Sequence, residues 1–372
     1  MNNKKLSNPV RLIAFFLTAV ILTLTFGFTA DGWTMNSQVT DSSENSQNED
    51  LTDGSSDIII SNPKDENAIE PSIKLPKFLN KLTGLETTEI ISKSTPFAFV
   101  MDGTDSLFGI SRSDLLIEIP IEKQKTRLIS FISDTENLWK IGSIAKGRGY
   151  INNLINYFGG LAVYNGIDDI TKYDFCDLGD KAIDFSIKEG YHYTEFLDYA
   201  YTNCDLLNTL KSTYEMENTM HDETRLPFVF NEFGNECIRY DKIASKIEFT
   251  DDGYNLKLTY NKESKKYTHQ QNGITRVDPL NGKKLDFVNC FILFADSITY
   301  DNSSGCQLVM NTIGSGLGFY ITEGSYTEIK WQATQSGTLS FYLTDGEKLT
   351  INRGNSYICY LKSSKINNVS FS

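Results

Sequence analysis

Residues 115–121 read Leu-Leu-Ile-Glu-Ile-Pro-Ile. Branched aliphatic side chains at nearly every position suit a pleated, buried surface, so the stretch predicts a strand. Glu118 breaks the apolar run and is expected to alternate outward. Pro120 has no N–H for a ladder and marks an edge or a bulge. Upstream, Pro96 to Met101 (PFAFVM) predicts a second buried strand, and downstream Arg127 to Ile132 (RLISFI) a third. From Tyr150 to Phe158, apolar residues fall at Ile151, Leu154, Ile155 and Phe158, the spacing of one helix face. Leu161 to Tyr164 follows as a short strand, and helical patches are expected around Asp180–Lys188 and Tyr193–Leu210.

Beyond about Glu236 the pattern changes to short strands. These are expected at Lys246–Thr250, Asn255–Tyr260, Phe291–Phe294, Gln307–Thr312, Gly318–Thr322, Thr327–Gln332, Ser340–Leu343 and Ser356–Leu361. Asp252-Gly253, Asn272-Gly273, Asn281-Gly282, Asp345-Gly346 and Arg353-Gly354 supply turns between them. The reading is an α+β chain: an N-terminal α/β domain with a mixed sheet over residues 76–235, then a C-terminal, mainly antiparallel β domain over 236–372.

The first 75 residues read differently. Residues 1–11 are a basic start carrying Lys4, Lys5 and Arg11, and Leu12 to Ala30 runs 19 residues without a charge. That length suits a transmembrane anchor with its start in the cytoplasm and the body outside the cell. A cleaved signal peptide followed by secretion is the alternative, although bulky Phe28 makes a poor cleavage site. Residues 31–75, Ser-, Asn- and Asp-rich, read as an acidic, solvated linker. Within it, residues 31–70 hold ten acids against one lysine, Lys64, a large share of the formal net charge of −13. A body that is itself acidic has no basic field for DNA or RNA, so nucleic-acid binding is excluded.

The chemistry-bearing residues form no recognised catalytic motif. Six cysteines contain no CxxC pair, and with three histidines there is no zinc-ligand spacing, so no metal and no cofactor is expected. Cys290 lies in an apolar run and reads as a buried thiol. His192, His221 and His269 are scattered and read as surface or hydrogen-bonding residues. Gly142 to Gly149, with Lys146 and Arg148, could offer backbone N–H groups and positive charge to an anion at the start of the Tyr150 helix, or could be a connecting loop. Asp102, Arg112, Asp114, Arg127 and Asp134 cluster around the three strands and could bind a ligand or form strand-end ion pairs. Gly314-Ser315-Gly316-Leu317-Gly318 lacks a βαβ frame and reads as a bulge or tight turn. Tyr320, Tyr326, Trp331 and Tyr357 could line a groove, but such aromatics more often form core.

Several of these segments, in this order, resemble the YerB-like putative lipoprotein family of Gram-positive bacteria, whose domains have no assigned function. The likeness runs over roughly residues 80–362. It is carried by Leu82-Thr83-Gly84-Leu85, PFAFVMD from Pro96, Gly109 to Glu118, and Thr126-Arg127. Further on it includes Tyr267-Thr268-His269, Gly273, Asp278, Gly282-Lys283-Lys284-Leu285, Asn289, Gly314-Ser315-Gly316, Gly324, Ile329-Lys330-Trp331, Asp345-Gly346 and Asn352-Arg353-Gly354. The chain departs from the family at Ala145, where an arginine is usual, and at Tyr164 and Cys204, where histidines are usual. It also lacks the cysteine that carries lipid.

The resemblance implies a cell-envelope protein and brings no activity. On this reading the chain is a non-catalytic ligand-binding or scaffold protein, with a ligand cleft between its two domains and Arg127, Arg148 and Arg276 meeting an anionic ligand. Its partners would be the membrane, through the N-terminal segment, and a wall polymer or envelope protein. A second, weaker resemblance is to the LytR-CpsA-Psr wall-polymer transferases, through Arg112-Ser113-Asp114 and Ile132-Ser133-Asp134-Thr135. It implies a transferase or hydrolase, provided that Arg112, Asp114 and Asp134 converge.

Overall fold

A computed structural model describes residues 75–372 apart from 104–106, 123, 169–177, 189, 195–199, 215–225, 252 and 303–304. The expected anchor at 12–30, the linker, His221 and Cys176 lie outside the described residues. Contacts divide the chain into residues 1–56 and 57–372, and every described residue falls in the second unit.

That unit begins with a short helix α1 (Glu89–Lys93). Thr88 caps it by accepting a hydrogen bond from the Ile91 N–H at 3.3 Å. The three expected strands follow as β1 (Phe97–Asp102), β2 (Leu115–Glu122) and β3 (Lys125–Ile132). The β2–β3 register shifts between Pro120 and Glu122, which is the bulge that Pro120 predicts, but β2 is an interior strand and not an edge. Next come β4 (Ile141–Ile144), helix α2 (Gly149–Tyr157), β5 (Leu161–Tyr164), β6 (Ala182–Asp184), β7 (Tyr193–Thr194), β8 (Ala200–Thr202) and helix α3 (Cys204–Thr213).

The helical expectations for 180–188 and 193–210 are corrected here. Residues Gly179–Lys181 form one 3-10 turn that passes into β6. The Asp184 carboxylate accepts from the N–H groups of Gly166 and Ser186, a local alternative to the helix ladder. Helix α3 starts only at Cys204, where Asn203 accepts from the Leu206 N–H at 2.9 Å.

The second half is strands and turns. It comprises β9 (Val229–Phe230), β10 (Lys242–Ile243), β11 (Lys246–Asp251), β12 (Tyr254–Asn261), β13 (Lys266–Gln271), β14 (Ile274–Thr275), β15 (Asp286–Phe287) and β16 (Asn289–Ala295). After these come β17 (Ser297–Asn302), β18 (Gly305–Met310), β19 (Gly314–Thr322), β20 (Ser325–Ala333), β21 (Leu339–Leu343), β22 (Thr350–Ile351), β23 (Ser356–Lys362) and β24 (Val369–Phe371).

Among the described residues, 14 strands join one mixed sheet, whose central path runs β10-β20-β19-β16-β23-β2-β3-β1-β4-β8-β7. The expected boundary at 235/236 does not break it. Strand β23 lies between β16 and β2, parallel to both, and so ties residues 356–362 to residues 115–118. Its Ser-Tyr-Ile-Cys-Tyr-Leu run is buried throughout, and a strand buried on both faces needs a ladder on both edges. The architecture is α+β with a strong β bias, and among the described residues one sheet runs across that boundary.

Both faces of the large sheet are covered. On one, Leu115, Ile117, Ile119 and Ile121 pack with Tyr150, Ile151, Leu154 and Ile155 of α2. On the other, Leu116, Ile292 and Cys359 meet Phe249, Leu256, Leu258 and Tyr267 of a second sheet, ordered β14-β13-β12-β11-β24. This second layer decides where the even-numbered residues of β2 go. Gly314 to Gly318 form part of a regular strand, not a turn, and β19 needs its glycines for close approach. A Cβ on Gly316 would meet the Phe294 carbonyl oxygen and lie 2.6 Å from Trp331 Nε1, whose hydrogen bond to that carbonyl spans the gap at 3.0 Å.

Candidate functional site

The alternation of β2 turns Glu118 toward the second sheet, where it is 1% exposed. The expected outward orientation is therefore corrected: the face read as solvent is an inter-sheet core. Four donors meet the carboxylate. Oε1 accepts from Thr126 Oγ1 and Tyr254 OH, each at 2.8 Å, while Oε2 accepts from Tyr357 OH at 2.7 Å and pairs with His269 Nε2 at 3.1 Å. These partners come from β3, β12, β23 and β13, so one carboxylate links the two layers.

Burial by itself would raise the Glu118 pKa. The His269 hydrogen bond and charge, with the Tyr357 and Tyr254 hydroxyls, outweigh it and bring the group from an ordinary 4.5 down to about 2. Burial, then the adjacent carboxylate, pushes Tyr254 well above its ordinary range. For Tyr357, burial and then the neighbouring Cys359 and Glu118 act in the same direction. A carboxylate has about four lone-pair positions, and Glu118 uses them on these four partners. It is built to hold strands together, not to take a proton from a substrate.

A cavity of about 50 Å³ lies beside this carboxylate, lined by buried Glu118, Phe249, Tyr254 and Cys359 and by exposed Gln124 and Lys125. Such a volume holds a few waters and excludes a sugar ring or a nucleotide.

The residues nominated from sequence fall into two groups. Arg112, Asp114 and Asp134 do converge, where β2 begins and β3 ends. Arg112 Nη2 reaches Asp134 Oδ2 at 2.6 Å and the Asp134 carbonyl at 3.0 Å. The Asp114 carboxylate accepts the Ser133 N–H at 2.8 Å. Burial raises the Asp114 pKa against the opposing hydrogen bonds of Ser133 and Asn80 and the attraction of Arg112. The preceding turn is held by fully buried Asp278, which accepts from the N–H groups of Gly109 and Ser111 at 3.1 and 3.0 Å and from Ser111 Oγ at 2.6 Å. Arg112 is thus presented from a backbone fixed on either side.

The three remaining arginines bind their own fold. Arg127 pairs with Asp102 at 2.9 Å, and Arg276 donates to the next carbonyl, that of Gly103, at 2.7 Å. Arg148 is 3% exposed, donates to the Ile121 carbonyl at 3.1 Å, and stands 3.6 and 3.7 Å from Glu122 and Asp168. Lys146 points to solvent. Gly149 and Tyr150 at the start of α2 are buried, so the 142–149 loop presents no open anion cradle there. Tyr320, Trp331 and Tyr357 are core, and Tyr326 stacks on Phe371 at 3.8 Å. Cys204, Cys237, Cys290 and Cys359 are free thiols, with Cys290 buried as expected.

With this geometry established, comparison with known proteins places the chain. Residues 245–358 match the C-terminal domain of a protein family of unknown function, DUF3048. "Putative lipoprotein YerB" of Bacillus subtilis (strain 168) is 23% identical over 303 residues, covering 74% of this chain and 84% of that protein. The crystal structure of the Bacillus subtilis YerB protein shares the fold, with a TM-score of 0.67 and 20% identity over 80% of this chain and all of that one. Among the described residues no helix is long and apolar enough to cross a membrane.

Proposed function

We propose that this chain is a non-catalytic cell-envelope protein that holds a wall-derived ligand or a partner at the Arg112–Asp134 corner. The observation behind this reading is the use to which the charged side chains are put. Arg127, Arg148 and Arg276 are engaged within the fold, and Glu118 is saturated by four donors. Arg112 and Asp134 remain 36% and 41% exposed, on a backbone that Asp278 and Ser133 keep in place. The likeness to a lipoprotein supports an envelope location.

A thermal-shift screen of the full-length chain in detergent tests this with muropeptides, teichoic-acid fragments and polyprenyl phosphates, with and without magnesium or manganese. A ligand that binds only the folded state stabilises it by about 2.7 kcal/mol at a hundred times its dissociation constant. The expected result is a shift without turnover that Arg112→Ala removes. A shift unaffected by that change would move the site elsewhere.

The second reading, a wall-polymer transferase, is favoured by one observation: Arg112, Asp114 and Asp134 meet at one strand end. Metal-dependent transfer of the glycan phosphate from a polyprenyl-pyrophosphate-linked glycan to an acceptor hydroxyl, with release of polyprenyl phosphate and abolished by Asp114→Asn, would establish it in place of the first.

A further inference from the structure

The hairpin of β17 and β18 stands outside both large sheets, and the register of its two strands shows which edge is open. In an antiparallel pair, opposite residues alternate between exchanging both backbone hydrogen bonds and exchanging none. The Asn311 N–H donates to the Asp296 carbonyl at 2.8 Å, one step before Ser297 pairs with Met310. Counting on from there, the bonded pairs are Ile298–Val309 and Tyr300–Gln307. Ser297, Thr299 and Asp301 therefore turn their N–H and C=O groups away from β18. A second contact agrees with this phase: the Leu308 carbonyl, opposite Thr299, is turned outward and accepts from Tyr150 OH at 3.3 Å. Helix α2 thus meets the far edge of β18. Among the described residues, β17 has no strand partner but β18.

An open edge invites another strand, and folds guard against this with short edge strands, lysine, proline or a bulge. The strands that end the two larger sheets are short: β7, β10 and β14 have two residues each and β24 has three. Strand β17 has six, Ser-Ile-Thr-Tyr-Asp-Asn, without lysine or proline, and it pairs with β18 without a bulge. Ile298 and Tyr300 share one face, 61% and 44% exposed, and Thr299 between them is exposed too. A row of unmet backbone groups selects an extended strand as the occupant, in preference to a helix or to a bilayer, where such groups are costly. The sequence selects β17 of a second copy. About a twofold axis at Thr299, Ile298 lies opposite Tyr300 of the other copy, twice, as β-branched and aromatic pairs that favour a sheet. Asp301 lies opposite Ser297, and Asp296 opposite Asn302. No two acids face each other, which matters in a chain of net charge −13. Thr299 and its mate exchange the two hydrogen bonds at the centre.

We propose that β17 pairs antiparallel with β17 of a second copy of this chain, joining two hairpins into one four-stranded sheet. This does not depend on the Arg112 corner. Sedimentation velocity of the full-length chain in detergent, over a range of concentrations and with disulfide trapping, tests it. The expected result is a concentration-dependent dimer. Thr299→Pro weakens it by about tenfold or more, since both central N–H groups are lost. The same change removes none of the bonds to β18, so the melting temperature of the dilute chain stays where it was. Thr299→Cys places two cysteines about 5.5 Å apart across the axis, within disulfide reach, whereas Ser297→Cys on the same edge leaves them about 14 Å apart. Under a mild oxidant Thr299→Cys links into dimers well above the wild-type background, to which exposed Cys237 contributes, and Ser297→Cys does not. A dimer that Thr299→Pro leaves intact, with equal linking from both cysteine variants, puts the contact elsewhere and overturns the proposal. A monomer at every concentration overturns it too, and leaves the edge to an extended segment of another protein.

Discussion

Asp114 and Glu118 lie four residues apart on one stretch of chain, and the fold treats them in opposite ways. Glu118 points between two sheets and is given four donors from four strands. Asp114 sits at the strand end, with the Ser133 N–H on its carboxylate and a half-exposed Arg112–Asp134 pair beside it. The first carboxylate is fully compensated and its pKa falls; the second, half-buried with fewer partners, has its pKa raised by desolvation. The contrast shows that it is the completeness of the donor set, more than burial, that fixes the sign of a carboxylate's shift.

Removing Glu118 should have the largest effect. Glu118→Ala leaves two tyrosine hydroxyls, a threonine hydroxyl and the His269 ring unpaired between the sheets. Breaking a buried pair in this way costs about 3–5 kcal/mol, read as a lower urea midpoint. A loss below about 1 kcal/mol would mean that water replaces the carboxylate through the adjacent cavity.

The pH dependence comes next and separates the two residues by sign. Glu118 has a folded pKa of about 2 against 4.5 when unfolded, so its contribution is complete above pH 4.5 and lost as pH falls toward 2. A shift of that size corresponds to roughly 3 kcal/mol. Asp114, raised above 3.8, binds its proton more tightly when folded, so its ionisation weakens the fold as pH rises past 3.8. Stability measured from pH 2 to pH 7 should show the acid limb flatten in Glu118→Gln. Asp114→Asn should gain stability relative to wild type as pH rises. If both substitutions changed stability with the same sign across that range, the comparison would fail.

How much of this was legible in the sequence depends on range. The strands β1, β2, β3 and β5 and the helix α2 were readable from local periodicity, and Pro120 marked its bulge. Glu118 was misread because a charge within an alternating strand reads as solvent-facing until something covers it. Its partners Tyr254, His269 and Tyr357 are 136, 151 and 239 residues away, and no local pattern links them. The meeting of Arg112, Asp114 and Asp134 was more accessible, because β2 and β3 are neighbouring strands of one hairpin. The shared sheet was hidden in β23, whose parallel insertion between β16 and β2 leaves no periodicity.

His269→Phe sharpens the comparison at a smaller scale. It keeps a ring against Tyr357, now 5.1 Å from His269, but withdraws one donor and its charge from Glu118. The cost should be about 1–3 kcal/mol, less than for Glu118→Ala, because three hydroxyl donors remain. The Glu118 carboxyl should then titrate at a higher pH, measured by the acid limb of stability. An unchanged acid limb would mean that the hydroxyls alone set the Glu118 pKa.

Arg112→Ala should have the smallest effect on stability. The Arg112–Asp134 pair is half-exposed and screened, and such pairs contribute about 0–1 kcal/mol. Asp278 and Ser133 hold the backbone on either side without it. A change in midpoint below about 1 kcal/mol together with a loss of ligand-induced shift would separate the two carboxylates by use: Glu118 for holding the layers together, the Arg112 corner for binding. A loss as large as that of Glu118→Ala would make the corner a second structural clamp and remove its claim to be a site.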